Sequence, residues 1–178
     1  MKKISLLVII LIIAGNYSCE RDDICPDSTS TTPRLIIDFI DATDPDVSKN
    51  VFDLVVIGVD NEAFISDYYF TTSNTVTLPL KTTDNTTEYI LIEDAEVNNN
   101  GTPDDATDDY IDGNQDRIIL NYSREDVYVS RACGYKTIFK NVTLTIVNDG
   151  DNWLLSREPL TDNQSVEDET TTHFNITI

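Results

Sequence analysis

Asn141-Val142-Thr143-Leu144-Thr145-Ile146, and again His173-Phe174-Asn175-Ile176-Thr177-Ile178, alternate polar and apolar residues one for one. Successive side chains of an extended strand point to opposite faces. The period of two therefore sends Val142, Leu144, Ile146, Phe174, Ile176 and Ile178 to a core. Thr143, Thr145, Asn175 and Thr177 face water, and His173 is expected with them. Outward from these two segments lie further short runs rich in Val, Ile, Thr, Tyr and Phe. Leu35–Ile40 reads as a mostly buried strand and Val51–Val59 as a second strand. Phe64–Phe70, Val76–Leu80, Glu88–Ile92, Arg117–Tyr122 and Val127–Phe139 read as the next ones, with Pro79 pushing its strand to a sheet edge. No longer window carries a helical stripe. The expected fold is all-β: one antiparallel β-sandwich over residues 34–178, Ig-like or transthyretin-like, with about eight or nine strands.

The chain has 178 residues, with Lys and Arg totalling 12, Asp and Glu totalling 32, and a formal net charge of −20. Such a field repels nucleic acid, so no nucleic-acid partner is expected. An apolar content of 40% fits a folded core better than an acidic disordered chain.

Met1-Lys2-Lys3 is followed by an almost wholly apolar run from Ile4 to Ala14. A membrane-spanning helix needs roughly 20 apolar residues. A basic start and a short apolar stretch instead describe a secretory signal peptide, over residues 1–18. Cys19 at its end suggests a bacterial lipoprotein, cleaved before that residue and acylated on it. Of Asn16-Tyr17-Ser18 only Ser18 suits that cleavage, and ordinary processing near Gly15 is the alternative. Residues 19–33 then form a polar tether. Cys25 and Cys133 remain as an even pair, which in an exported protein suggests a disulfide. The bond would pin the tether to a strand deep in the domain; two separate buried thiols are the alternative.

The stretch Arg131-Ala132-Cys133-Gly134-Tyr135-Lys136 carries a family resemblance. So do Asp22-Asp23-Ile24-Cys25, Thr32-Pro33-Arg34-Leu35, Asn152-Trp153 and the closing alternating strand. Together they resemble a family of small outer-membrane lipoproteins of Bacteroidota without established activity. The resemblance implies an outer-membrane location and supports pairing of Cys25 with Cys133. Glu20-Arg21-Asp22-Asp23 resembles the surface-export signal of such lipoproteins. Display on the cell surface and on the periplasmic face are both open.

Glu93 to Asp116 holds nine acids and no base, and reads as an insert in the form of a solvated hairpin loop. Hard cations want several oxygens, so Asp104, Asp105, Asp108, Asp109, Asp112 and Asp116 are the candidate Ca²⁺ ligands. The EF-hand spacing fails: from Asp108, position 3 is Tyr110 and position 12 is Ile119. No other cofactor is expected. Nucleophile elbows, phosphate loops and dinucleotide fingerprints do not occur in the sequence. Arg131 and Lys136, with Tyr135 between, form a candidate ligand strip, extended by Lys140. Tyr128, Tyr135, Phe139 and Trp153 line either a glycan platform or the core. The leading expectation is a non-enzymatic, lipid-anchored binding, accessory or structural protein with a protein or glycan partner. A Ca²⁺-stabilised adhesin-like module and a carboxylate-based glycoside hydrolase are the alternatives.

Overall fold

The computed structural model describes residues 24–60, 62–161 and 164–178. The leader, the proposed acylation site Cys19 and the first tether residues lie outside them. Nine strands run in chain order: β1 (Leu35–Ile40), β2 (Val51–Gly58), β3 (Ala63–Ser73), β4 (Thr75–Leu78), β5 (Thr86–Asn98), β6 (Tyr110–Ser130), β7 (Gly134–Ile146), β8 (Ser156–Pro159) and β9 (Phe174–Thr177). They form two sheets, one ordered β4-β1-β9-β8 and the other β3-β2-β5-β6-β7. The fold is the expected all-β sandwich.

The apolar members of each alternating strand meet between the sheets. Leu35, Ile37 and Phe39 of β1 and Phe174 and Ile176 of β9 enter the core from one sheet. Leu54, Leu91, Ile118, Leu120, Val142 and Leu144 enter from the other. Each such side chain, fully withdrawn from water, contributes roughly 1.5–3 kcal/mol. The last strand lies between β1 and β8, parallel to the former and antiparallel to the latter. Its place inside the sheet explains its strict alternation. The strand ahead of Pro79 is an edge strand, as that residue requires.

Three readings from sequence are corrected. Val127–Phe139 is not one strand but the end of β6, a turn at 131–133 and the start of β7. Gly134, at φ +70°, takes the left-handed conformation that closes this turn. Arg117–Tyr122 is only the middle of β6, whose 21 residues make it the longest strand. The acidic segment 93–116 is mostly paired: β5 continues to Asn98 and β6 begins at Tyr110, leaving residues 99–109 as the loop of a projecting hairpin. A bulge between Glu93 and Glu96, with Asp94 at φ +48°, marks where that arm leaves the sandwich.

Candidate functional site

The two ends of β6 carry different chemistry. Its first end is the acidic arm. There Asp108 accepts from the Thr102 hydroxyl at 2.8 and 2.9 Å and from Asn100 Nδ2 at 3.2 Å. Asp105 accepts from the Thr107 amide and hydroxyl, and Asp112 from Asn98 Nδ2. These hydroxyl and amide donors hold Asp105 and Asp108 below the ordinary carboxylate range. They are local turn contacts. Asp116 stands apart from the others, fully buried in the sheet, where its two oxygens accept from the Leu154 amide at 2.7 Å and Asn152 Nδ2 at 3.0 Å. It fastens the loop whose Trp153 packs on Phe39 at a ring separation of 5.8 Å. Burial pushes its carboxyl up against the pull of those donors. Among the described residues, no group of three or more His, Cys, Asp or Glu could hold a metal ion. Asp104 and Asp109 lie in the loop beside Asp105 and Asp108.

The other end of β6 holds the candidate strip. Tyr128 and Tyr135 face each other across the β6–β7 ladder, edge to face at 5.4 Å, and are 58% and 70% exposed. Arg131 is exposed in the turn between them, and Lys136 follows on β7. Cys133 sits in the same turn, its amide donating to Ser130 Oγ at 3.0 Å. Its disulfide to Cys25 spans 108 positions with a Cα–Cα distance of 4.8 Å. The bond thus fastens the tether to an exposed hairpin tip, a correction to the deep strand expected for Cys133. The reason is local: the turn chemistry of Ser130 and Gly134 breaks the strand there.

From the disulfide the tether lies along β7 as a strap. Lys136 Nζ donates to Ser30 Oγ at 2.9 Å and to the Glu167 carbonyl at 3.2 Å. The Thr137 amide donates to Thr32 Oγ1 at 3.1 Å. Farther along, Arg34 makes a forked pair with Glu169 at 2.7 and 3.0 Å, which lowers the Glu169 carboxyl and raises the guanidinium. Val166 pairs with Phe139 through both amides. Lys140 pairs with Glu167 and holds that carboxyl down. β7 is the edge of its sheet, and the strap and the 164–168 segment take up edge groups that would otherwise be open to another strand. A shallow cleft of about 520 Å³ lies at the tip, between Ile24, Pro26, Thr29, Tyr128, Arg131 and Ala132.

Phe139 and Trp153 are core residues, which removes them from any glycan platform and leaves Tyr128 and Tyr135. The strap role of Ser30 and Thr32 was not read from sequence; a run of hydroxyl residues beside prolines looks like any linker. His173, expected in water, is 2% exposed. It sits just ahead of β9, where its Nδ1 accepts from the Ile36 amide at 2.9 Å and its own amide donates to the Ile36 carbonyl. The alternation holds only inside the strand, and the residue at its mouth turns inward. A second cleft, of about 390 Å³, opens near Val59, Ala63, Ile65, Leu80 and Tyr89, with the Lys81–Asp60 ion pair on its rim.

The profile of a family of unknown function, DUF6452, matches residues 53–178. No curated protein and no solved structure matches the chain.

Proposed function

The chain belongs to DUF6452, a family of unknown function, and from that premise we propose that it is a lipid-anchored outer-membrane lipoprotein of the Bacteroidota type. In this reading it is acylated on Cys19 and acts as a non-enzymatic binding or accessory protein. The observation that carries the reading is the Cys25–Cys133 disulfide. Structural disulfides persist in oxidising compartments, so the bond fits a chain exported behind a signal peptide. It also begins six residues after Cys19, so an anchor there would hold a rigid domain rather than a loose one.

The non-enzymatic part rests on how the interior polar groups are used. Asp116 and His173 each hold a backbone amide. Thr87 and Tyr122 bond to each other, and Tyr89 donates to the Pro79 carbonyl. Burial raises both phenols. These groups fasten loops to sheets. Tyr128, Arg131 and Tyr135, exposed at the β6–β7 tip beside the half-buried Lys136, are the surface we assign to a partner.

Intact-mass measurement of the protein from native membranes, with detergent-phase partitioning, tests the anchor. Acyl chains on an N-terminal Cys19 are expected, with Cys19→Ala moving the protein to the aqueous phase. An unmodified Cys19 in a water-soluble wild-type protein defeats it.

A further inference from the structure

We propose that the β6–β7 tip seats on the phospholipid headgroup layer that holds the anchor, with Tyr128, Tyr135 and Ile24 as its contacts and the acidic arm directed away. The seat rests on the reading of Cys19 as the acylated residue. Three observations lead to it.

The first is reach. Only six positions separate Cys19 from Cys25, so the chain between them spans at most about 21 Å even fully extended. The disulfide then delivers it to the turn at 131–133. The turn is therefore covalently held within that reach of the acyl chains.

The second is the surface found there. Tyr128 and Tyr135 project from the tip as a mutually packed pair, and Ile24 beside them is 80% exposed. An apolar ring body with a polar hydroxyl suits the boundary between headgroups and acyl chains. Arg131 in the turn and Lys136 on β7 offset Glu125 and Asp126 of β6, so an anionic layer does not push the tip away.

The third is the opposite end of the same strand. The acidic loop, with Asp104, Asp105, Asp108 and Asp109, precedes the first residue of β6, and the disulfide-bearing turn follows the last. Twenty-one residues in extended form run to roughly 65 Å. A domain standing on the tip therefore carries the arm far from the lipid, where its repulsion is least.

The test uses the mature lipoprotein reconstituted in phosphatidylcholine vesicles containing one-fifth phosphatidylglycerol and a headgroup-spin-labelled lipid. Tyr135→Trp reports at the tip and Tyr110→Trp at the arm; the native Trp153 is buried and common to both. At least twofold stronger quenching at position 135 than at 110 is expected. Adding Arg131→Glu and Lys136→Glu should remove most of that difference while the protein still floats with the vesicles. Equal quenching at 135 and 110 in floating protein overturns the seat and leaves the strip to a protein or glycan partner. Protein that does not float, with Cys19 unmodified by mass, overturns the anchor and the seat together.

Discussion

Opening the Cys25–Cys133 bond is the sharpest perturbation available. It closes a loop of 108 residues, and the entropy of an unfolded chain so constrained corresponds to about 4.8 kcal/mol at 25 °C. Little of that loss should show in the native contacts. The turn keeps the Cys133 amide on Ser130, the strap keeps Thr32 on β7, and Arg34 keeps Glu169. The effect therefore falls on the unfolded state, which gains freedom. Domains of this kind are stable by about 5–15 kcal/mol in total, so the reduced protein should be folded but marginal. With a urea slope of about 2 kcal/mol per molar, the midpoint should drop by about 2.4 M. The slope itself should rise, because the unbridged chain exposes more surface. Equilibrium urea unfolding by far-ultraviolet circular dichroism, with and without dithiothreitol, measures both; the Cys25→Ser/Cys133→Ser double variant should match the reduced wild type. A loss below about 1 kcal/mol with an unchanged slope would refute the chain-entropy reasoning. It would mean that the unfolded ensemble already holds the tether near the hairpin.

Gly113 sits at φ +142°, where a Cβ would stand 2.7 Å from Ile92 Cγ2 and 2.8 Å from the Glu93 carbonyl. Gly113→Ala should cost about 2–4 kcal/mol in urea unfolding, whereas Gly101→Ala, with nothing within 4 Å, should cost only about 1–2 kcal/mol from its left-handed φ. Burial lowers the His173 pKa, against the raising influence of Asp168 and Glu169. A His with a depressed folded pKa contributes stability that is present above its unfolded value, about 6.5, and lost as pH falls toward the folded one. The melting midpoint should therefore decline below about pH 6.5, and His173→Asn, whose side-chain oxygen can still accept from the Ile36 amide, should flatten that decline. Asp168, Glu167 and Glu169, all lowered, act only in the more acidic window near and below the ordinary carboxylate values.

What the residues disclosed follows the strength of their local pattern. β1 and β9 were legible because every second residue enters one core. The start of β6 and its stretch after Tyr122 were not, since Asn114, Gln115, Glu125 and Asp126 give them the composition of a loop. β6 is a strand because β5 and β7 pair with it on both sides, and partner strands a dozen or more residues away leave no periodic trace. The same limit hid Asp116 and His173. Their burial depends on Leu154 and Ile36 reaching them from distant parts of the chain, and no spacing rule encodes that. Arg131, Tyr135 and Lys136 stood out in the sequence as a dense basic and aromatic group, and the structure places Arg131 and Tyr135 exposed and Lys136 half-buried. Their neighbour, the strap, was not legible, because only the disulfide turns a polar tether into a cover for β7.

The net charge of −20 takes on a different meaning once the strands are in place. Read as a single number it opposes any close approach to an anionic surface. Screening removes most of an exposed charge's influence beyond about 8–10 Å at ordinary salt. The acids of the arm stand at the far end of a 21-residue strand from the tip, many such lengths away. At the tip the charges within about one screening length include Arg131 and Lys136 against Asp126 and Glu125 of β6. That local balance is close to even. Apolar contact by Tyr128, Tyr135 and Ile24 then decides whether the tip rests on lipid, and the excess of negative charge decides only which way the rest of the domain points.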